Sequence, residues 1–412
     1  MFADYRNVFA IIVGVGILQL AGGLLGLLAP LGLSALGVDA FAIGLIAAVH
    51  AAGFMAGAAT APAAITAFGN IRVFSAAAAL AAAGALLMQL FQDPAAWTLI
   101  RIVHGAGFAW MFASAEAWLS QATPARNRGA VTGFYHVVAK AALLIGPFFA
   151  AGAVALDASA YLWCGLFLAL SLAPMCLTRR GEPPHPETAP LSLANLFKLA
   201  PAAVIAAFMA GVINSGTLSL LPVFAVRMSP GIDLATQAAA FAMAAVWLGG
   251  LLTQWPAGRI SDHVDRRLVV AIMAGVSAIA ALLIGLMTGH APYALMLGLL
   301  ALWGAGSLSF YGIAVAHAID RSTTEQIARV MSGLLFVWAA GSVVGPPLSG
   351  LAFRSPLGPG GLFILASALS AFVAIAMLTR RTQRDQTESA SQERWEIAQP
   401  TSVAGADIDP RS

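Results

Sequence analysis

A series of long apolar stretches constrains the fold of this chain more than any other feature. A membrane-spanning helix needs about 20 mainly apolar residues. Only 9% of the 412 residues are charged and 60% are hydrophobic, whereas soluble domains carry about 25% charged residues. The sequence therefore predicts an all-α membrane protein with twelve transmembrane helices. The predicted spans are 7–29, 41–64, 71–91, 97–120, 129–152, 158–178, 198–226, 236–257, 268–288, 292–317, 329–352 and 360–379.

The predicted spans form two sets of six. The stretch RRGEPPHPETAP at 179–190 is charged and rich in proline, which is typical of a linker. We therefore expect an N-terminal six-helix half at 1–178, a cytoplasmic linker at 179–197 and a second six-helix half at 198–379. The polar segment 380–412 is expected to be a disordered cytoplasmic tail, because it is poor in apolar residues.

The distribution of lysine and arginine predicts the orientation, since basic residues favour cytoplasmic loops. If the N-terminus is cytoplasmic, the loops on the opposite side receive only Arg227 and Arg354. We therefore expect a multi-pass protein of a bacterial inner membrane with both termini in the cytoplasm. The net charge of +3 then reflects these loops and not a nucleic-acid partner.

The two sets of spans repeat the same glycines in the same order. HGAGFAWMF in the fourth span and WGAGSLSFY in the tenth align Gly105 with Gly304. The fifth and eleventh spans both contain a glycine followed later by Gly-Pro. Small residues let helix backbones approach closely in lipid, so the matches predict two parallel repeats. The helix-packing residues are Gly133, Gly146, Pro147, Gly345 and Pro346.

The loop between the eighth and ninth spans carries the most specific motif, QWPAGRISDHVDRR. Its spacing is G-x-x-x-D followed by basic residues, which here are Gly258, Asp262, Arg266 and Arg267. With the R-x-x-x-G sequence that begins at Arg101 and the glycines above, this motif resembles the major facilitator superfamily over nearly the whole chain. The resemblance implies a permease of two pseudo-symmetric halves that transports a small solute by alternating access.

The motif departs from the family pattern in two places. Asp265 stands where a glycine is usual, and the first-half loop has Pro62 and Thr66 where the motif's glycine and acid belong. In the second half, Asp262 and the two arginines predict a conformational latch, because such charges bind partners only while helix ends are packed together. The alternative is an ordinary positively charged cytoplasmic loop.

Ionisable residues inside a span are costly and indicate function by default. Lys140 lies near the midplane of the fifth span, four residues after His136 and on the same helical face. These two side chains predict an anion site or a proton pathway, since histidine titrates near physiological pH. The alternative is that Lys140 reaches the membrane surface or pairs with Glu116.

Two ionisable residues of the fourth span each have two interpretations. Arg101 lies either in a central cavity, as the resemblance suggests, or at the membrane surface. Glu116 is either a proton carrier or an anchor for Arg126 or Arg128. Two further histidines, interpreted as hydrogen-bond donors between helices, are His50 and His104.

The resemblance implies a central cavity that is lined by the first, fourth, seventh and tenth spans. Their midspan polar or aromatic residues are Gln19, Trp110, Asn214 and Tyr311. Amides and aromatic rings in an apolar pathway suit a small organic solute. By contrast, Trp247 and Trp338 are expected to pack between helices.

The sequence therefore predicts a secondary transporter for a small organic solute. Proton coupling is expected, because there is no nucleotide-binding motif and the buried ionisable groups suit protonation. The cations within the spans favour an anionic solute, and the resemblance associates the fifth-span Gly-Pro motif with antiporters, which favours export. No cofactor, metal site or enzyme activity is expected, and members of the family are commonly monomers. The alternative is a transport-inactive sensor or scaffold, since the first-half loop is degenerate.

Overall fold

The computed structural model describes residues 2–123, 128–155, 159–177, 192–229, 231, 235–323 and 326–382. These residues form helices joined by short turns, with no β-strand among them, as the sequence predicts. The helices are α1 (Phe2–Ala35), α2 (Ala40–Phe68), α3 (Asn70–Leu90), α4 (Pro94–Ala122), α5 (Arg128–Ile145), α6 (Phe148–Ala155), α7 (Ala160–Leu170), α8 (Leu172–Cys176), α9 (Leu193–Leu199), α10 (Pro201–Arg227), α11 (Ala235–Ser261), α12 (Arg266–Met287), α13 (Tyr293–Ser307), α14 (Phe310–Ile319), α15 (Ile327–Phe353) and α16 (Gly360–Thr382).

These helices supply the twelve predicted spans. Within the described part of the chain, ten segments are long and apolar enough to cross a membrane by length and composition alone. The other two spans are α4 and the shorter pair α7–α8. Helix α4 is long enough, but Arg101, His104 and Glu116 reduce its apolar character.

Three spans that the sequence predicts as continuous are interrupted. The fifth breaks between α5 and α6 at Gly146 and Pro147, because proline has no N–H to donate and its ring clashes with the preceding turn. The sixth breaks at Ser171. The tenth breaks at Leu308 and Ser309, whose backbone N–H groups bond the last turn of α13. The tenth span therefore has an irregular turn near its middle.

The predicted linker and tail lie mostly outside the described residues. Within the linker, the structure shows α9, which Ser192 caps by accepting a hydrogen bond from the Asn195 backbone N–H at 3.4 Å. The next span begins at Pro201, three residues after the predicted start, because proline is favoured at the first helical position.

Matching glycines make matching contacts in the two halves. A Cβ on Gly105 of α4 would collide with the carbonyl oxygen of His50 in α2, and a Cβ on Gly304 of α13 would collide with that of Val246 in α11. The α2–α4 pair in the first half therefore corresponds to the α11–α13 pair in the second. This correspondence supports the predicted two-half architecture.

The Gly-Pro motifs repeat in the same way. Gly146, at the end of the span that contains Gly133, lies against the Leu20 carbonyl of α1. Gly345 of α15 lies against the Val212 carbonyl of α10. Each glycine thus permits a backbone contact that any side chain would prevent.

The two halves touch at the end of the bundle where α2 begins, called the Asp39 end below. Gly44 of α2 packs against the Pro346 carbonyl of α15, and Gly350 packs against the start of α2. Arg354 pairs with Asp39 across the two halves at 3.3 Å, with both side chains about half exposed. The opposite end, where α11 is followed by Asp262, is called the Asp262 end.

Candidate functional site

A cavity of about 400 Å³ lies between the two halves. Its walls come from α1, α2, α4 and α5 of the first half and from α10, α11 and α15 of the second. Leu308 and Tyr311 complete the walls beside the break in the tenth span. The volume is within the range of small-molecule sites, and the walls are mainly apolar with a few polar groups, as in such sites generally.

Five of the eight predicted pathway residues line this cavity, although they lie on five different helices. The cavity-lining residues are Gln19, Arg101, Lys140, Asn214 and Tyr311. Two belong to the second half and three to the first. The cavity is therefore built from both halves, as the resemblance implies.

Lys140 of α5 is 5% exposed and connects the two halves. Its Nζ donates a hydrogen bond to Oε1 of Gln254 in α11, and it forms no ion pair with any described carboxylate. A lysine at the centre of a bilayer costs about 3 kcal/mol on insertion scales. One amide oxygen accepts from the Lys140 Nζ but supplies no negative charge to balance an ammonium. The pairing with Glu116 is not seen.

Arg101 of α4 lies in the cavity wall toward the Asp39 end. Its backbone carbonyl accepts a hydrogen bond from Nδ1 of His50 in α2 at 3.1 Å, and His50 also lines the cavity. Because a carbonyl only accepts, Nδ1 carries the hydrogen and Nε2 is left for another partner. The interpretation of His50 as a donor between helices is confirmed. His104 likewise contacts the Ala81 carbonyl of α3 at 2.9 Å.

The second half contributes polar groups that already have partners. Asn214 of α10 donates from Nδ2 to the Ser307 carbonyl at 3.2 Å, and the Ser307 hydroxyl donates to Oδ1 of Asn214. Tyr311 meets Trp338 edge-on, with ring centroids 6.4 Å apart. Trp338 also lines the cavity, so it does more than pack between helices.

Three predicted pathway residues lie outside the cavity wall. The buried Glu116 accepts a hydrogen bond from the Tyr135 hydroxyl at 3.2 Å. His136 is buried and packs edge-on against Tyr135. Trp110 donates from Nε1 to Thr60 of α2 at 3.0 Å. These contacts connect α4 to α5 and α2 within the first half.

At the Asp262 end, the predicted latch residues form an ion network inside the second half. Arg266 is 1% exposed, and its Nε donates to Asp320 at 2.6 Å just after α14. Its Nη1 lies 3.4 Å from Asp262 and also donates to Ser261. Gly258, one turn before Asp262, is buried in α11. The network joins the α11–α12 loop to the end of the tenth span.

Asp265, which replaces the usual glycine, caps α12. It accepts hydrogen bonds from the Arg267 backbone N–H at 2.9 Å and from the Arg267 guanidinium at 3.1 Å. Partial burial acts to raise the pKa of Asp265, but the hydrogen bonds and positive charge of Arg267 outweigh burial and lower the pKa. Asp265 therefore stays ionised and stabilises the start of α12.

Comparison with known proteins gives the family. The family model described as Major Facilitator Superfamily matches residues 11–255 and 230–407. This chain belongs to the major facilitator superfamily. An uncharacterised MFS-type transporter of Enterobacter sp. (strain 638) is 24% identical over 388 residues, covering 93% of this chain and 98% of the relative. The uncharacterised MFS-type transporter YcaD of Escherichia coli O17:K52:H18 (strain UMN026 / ExPEC) is 25% identical over 378 residues, which cover 91% of this chain and 96% of the relative.

A solved structure has the same fold as this major facilitator. The bacterial homolog of the human lysosomal transporter Spinster, in an inward-facing and occupied conformation, superposes with a TM-score of 0.72 at 15% identity. The match covers 96% of this chain and 99% of the solved one. The twelve-helix, two-half fold is therefore confirmed, and the chain is a membrane transporter.

Sequence reasoning missed three residues that complete these sites in the transporter. Gln254 is 4% exposed and bonds Lys140; a buried amide in an apolar span was its signal. Trp247, expected only to pack, lines the cavity, and its buried Nε1 has no hydrogen-bond partner. Asp320 carried little signal, because an acid beyond a helix end is common.

Among the described residues, no group of three His, Cys, Asp or Glu side chains could hold a metal ion.

Proposed function

We propose that this protein is a secondary active transporter that moves a small organic solute across the bacterial inner membrane by alternating access. The observation that carries the proposal is the cavity of about 400 Å³ between the halves, lined by residues of both. A solute bound there contacts both halves. Relative movement of the halves therefore changes the side of the membrane to which the solute is exposed.

Contacts at the two ends support this mechanism. At the Asp39 end, glycines hold α2 against α15, so these backbones must separate before a solute leaves in that direction. At the Asp262 end, Arg266 holds the α11–α12 loop to Asp320, which lets this end of the second half move as one unit. With both termini in the cytoplasm, the Asp39 end faces outward and the predicted latch lies on the cytoplasmic side.

We further propose that protons drive transport and that the direction is export. Proton coupling is supported by the ionisable Lys140 and His50 in the cavity wall and by the buried Glu116–Tyr135 contact. Export is supported by Gly146 and Pro147, which interrupt the fifth span at the motif associated with antiporters. One chain supplies a complete cavity, so a monomer suffices for the activity.

The test is solute counterflow and proton flux in proteoliposomes that contain the purified protein. A broad panel of organic anions, amines, sugars and neutral drugs is offered with and without an imposed pH gradient. We expect counterflow of one chemical class and its acceleration by the gradient, with protein-free liposomes as the control. Absence of flux for every class would contradict the proposal and favour a sensor or scaffold.

A further inference from the structure

The wall of the cavity carries unbalanced positive charge. Among the described residues that line it, the basic side chains are Arg101, Lys140 and His50, and none is an aspartate or a glutamate. Neither Arg101 nor Lys140 forms an ion pair with a described carboxylate. A cation in a low-dielectric site is stable only if an opposite charge or several acceptors compensate for lost water. A negatively charged ligand would supply that compensation here.

Two side chains of the same wall have N–H donors that no described residue accepts. The Lys140 ammonium has three N–H donors, and Gln254 Oε1 is its one acceptor among the described residues. The buried Nε1 of Trp247 has no partner. Asn214 offers little to a ligand, because its amide already bonds Ser307 through both of its polar atoms. These donors favour a ligand group that only accepts hydrogen bonds.

Two polar side chains of the second half lie on α11, the helix that Lys140 contacts. Trp247 and Gln254 are seven residues apart on α11, so they lie on the same helical face, and both line the cavity. Gln254 contacts Lys140 directly. An acceptor group bound at Lys140 is therefore beside the face of α11 that carries Gln254 and Trp247.

The remainder of the wall is apolar and rich in aromatic rings. Phe54 and Phe108 line the cavity from the first half, and Tyr311 and Trp338 line it from the second. Such surfaces are stabilised by contact with an apolar body and gain nothing from a small, fully hydrated ion. The solute is thus expected to be amphiphilic.

We propose that the solute is an organic anion, a carboxylate or sulfonate attached to an apolar body the size of one or two rings. This inference names the solute of the proposed function and rests on it. The anionic group binds Lys140 and competes with Gln254 Oε1 for the ammonium. The apolar body lies against the aromatic rings, and Arg101 provides a second positive charge toward the Asp39 end. Because Lys140 and Gln254 join the halves, binding of the anion loosens a contact between them.

The first experiment uses the wild-type protein, so it does not depend on any variant folding. Counterflow in proteoliposomes is measured for 3-phenylpropionate, 3-phenylpropionamide and 3-phenylpropylamine, which share one carbon skeleton and differ in charge. The same comparison is repeated with aliphatic and two-ring carboxylates, the matching sulfonates, and their amides and amines. We expect transport of anions at a rate at least about tenfold above that of the paired amides, as for loss of a charged hydrogen bond.

The second experiment locates the charge that recognises the anion. Lys140→Gln is compared with Lys198→Gln, which removes the same charge from the exposed face of α9, and with Lys140→Arg, which keeps the charge. Anion counterflow is expected to fall at least about tenfold in Lys140→Gln, to stay at the wild-type rate in Lys198→Gln and to recover partly in Lys140→Arg. Size-exclusion profiles and yields identify any variant that fails to fold.

The outcomes separate this inference from the proposed function. Transport of amides or amines in preference to their carboxylate and sulfonate partners overturns the anion assignment and leaves the transporter assignment in place. Equal anion transport by Lys140→Gln and wild type removes Lys140 from the site and overturns the proposed mode of binding. Absence of flux for every member, charged or neutral, contradicts both proposals together.

Discussion

The two halves share a backbone plan but keep their charges in different places. Positions 199 residues apart correspond in the fourth and tenth spans and in the fifth and eleventh, as the contacts of the paired glycines show. At these positions Arg101 corresponds to Leu300 and Lys140 to Ala339. Both second-half residues are buried and apolar. The basic groups of the cavity thus belong to the first half.

The loops at the Asp262 end show the reverse arrangement. The second half has Asp262 beside Arg266, and Arg266 also bonds Asp320. The first half has Thr66 and Pro62 at the corresponding positions. Close packing of two helix backbones requires only a small residue, so the glycines are equivalent in both halves. The charged side chains are not equivalent, which indicates that each half has its own role. We infer that the first half supplies the charges that face the solute and that the second half carries the latch.

Moving the central charge from one half to the other is expected to have the largest effect. Lys140→Ala should reduce transport by about 100-fold, since the charge and its hydrogen bond are both lost. The double variant Lys140→Ala with Ala339→Lys should not restore transport, because the native bond to Gln254 is made from α5. Counterflow in proteoliposomes measures both. Full recovery in the double variant would show that the halves are interchangeable.

Paired glycine substitutions should affect both halves to a similar degree. Gly146→Leu and Gly345→Leu each place a side chain against a backbone carbonyl of a neighbouring helix. Overpacking of this kind costs about 2 kcal/mol, so both variants should unfold at lower temperature than wild type. Thermal unfolding of the purified proteins checks this, with Gly298→Ala, which faces open space, as the control. A large difference between the unfolding temperatures of Gly146→Leu and Gly345→Leu would disprove the equivalence of these contacts.

Changes at the loop motif should affect the two halves unequally, with an intermediate effect. Asp262→Asn removes the negative charge that faces Arg266 and should reduce transport about fivefold without loss of protein from the membrane. Thr66→Ala, at the equivalent exposed position, should change transport less than about twofold. Flux assays on equal amounts of membrane protein compare the two variants with wild type. Full transport activity of Asp262→Asn would exclude the latch.

The smallest effect is expected at the Asp39 end. Arg354→Gln breaks the ion pair with Asp39, but both side chains are about half exposed and exposed pairs contribute little. Transport should therefore change less than about twofold, and it should become less sensitive to salt. A larger loss would mean that this pair, and not the glycine contact of α2 with α15, holds the end closed.

Much of the fold was predictable, because spans, glycines and the loop motif are local signals. The interruptions of the spans were less predictable. Gly146 and Pro147 were recognised as packing residues, but the break between α5 and α6 depends on the proline ring. The candidate site was predictable in part. Residues facing lipid and residues facing other helices are both apolar, so the sequence does not fix the rotation of a helix. Trp110 was therefore expected in the cavity but bonds Thr60 instead.

The partner of Lys140 illustrates the other limit. Gln254 lies 114 residues further along the chain, and nothing local connects the two. Only the packing of α5 against α11 brings them together. The same applies to Arg266 and Asp320, which are 54 residues apart. Long-range polar contacts of this kind require the three-dimensional arrangement of the halves.

The most direct test of alternating access between these halves is transport by a protein whose Asp39 end is covalently closed. Cysteines introduced as Asp39→Cys and Arg354→Cys lie on opposite halves and replace side chains that touch. A short bifunctional thiol reagent should link them and abolish counterflow, while either single variant with the same reagent stays active and cleavage of the link restores flux. Undiminished transport by the fully linked protein would contradict the account, because the solute would then cross without separation of the halves at this end.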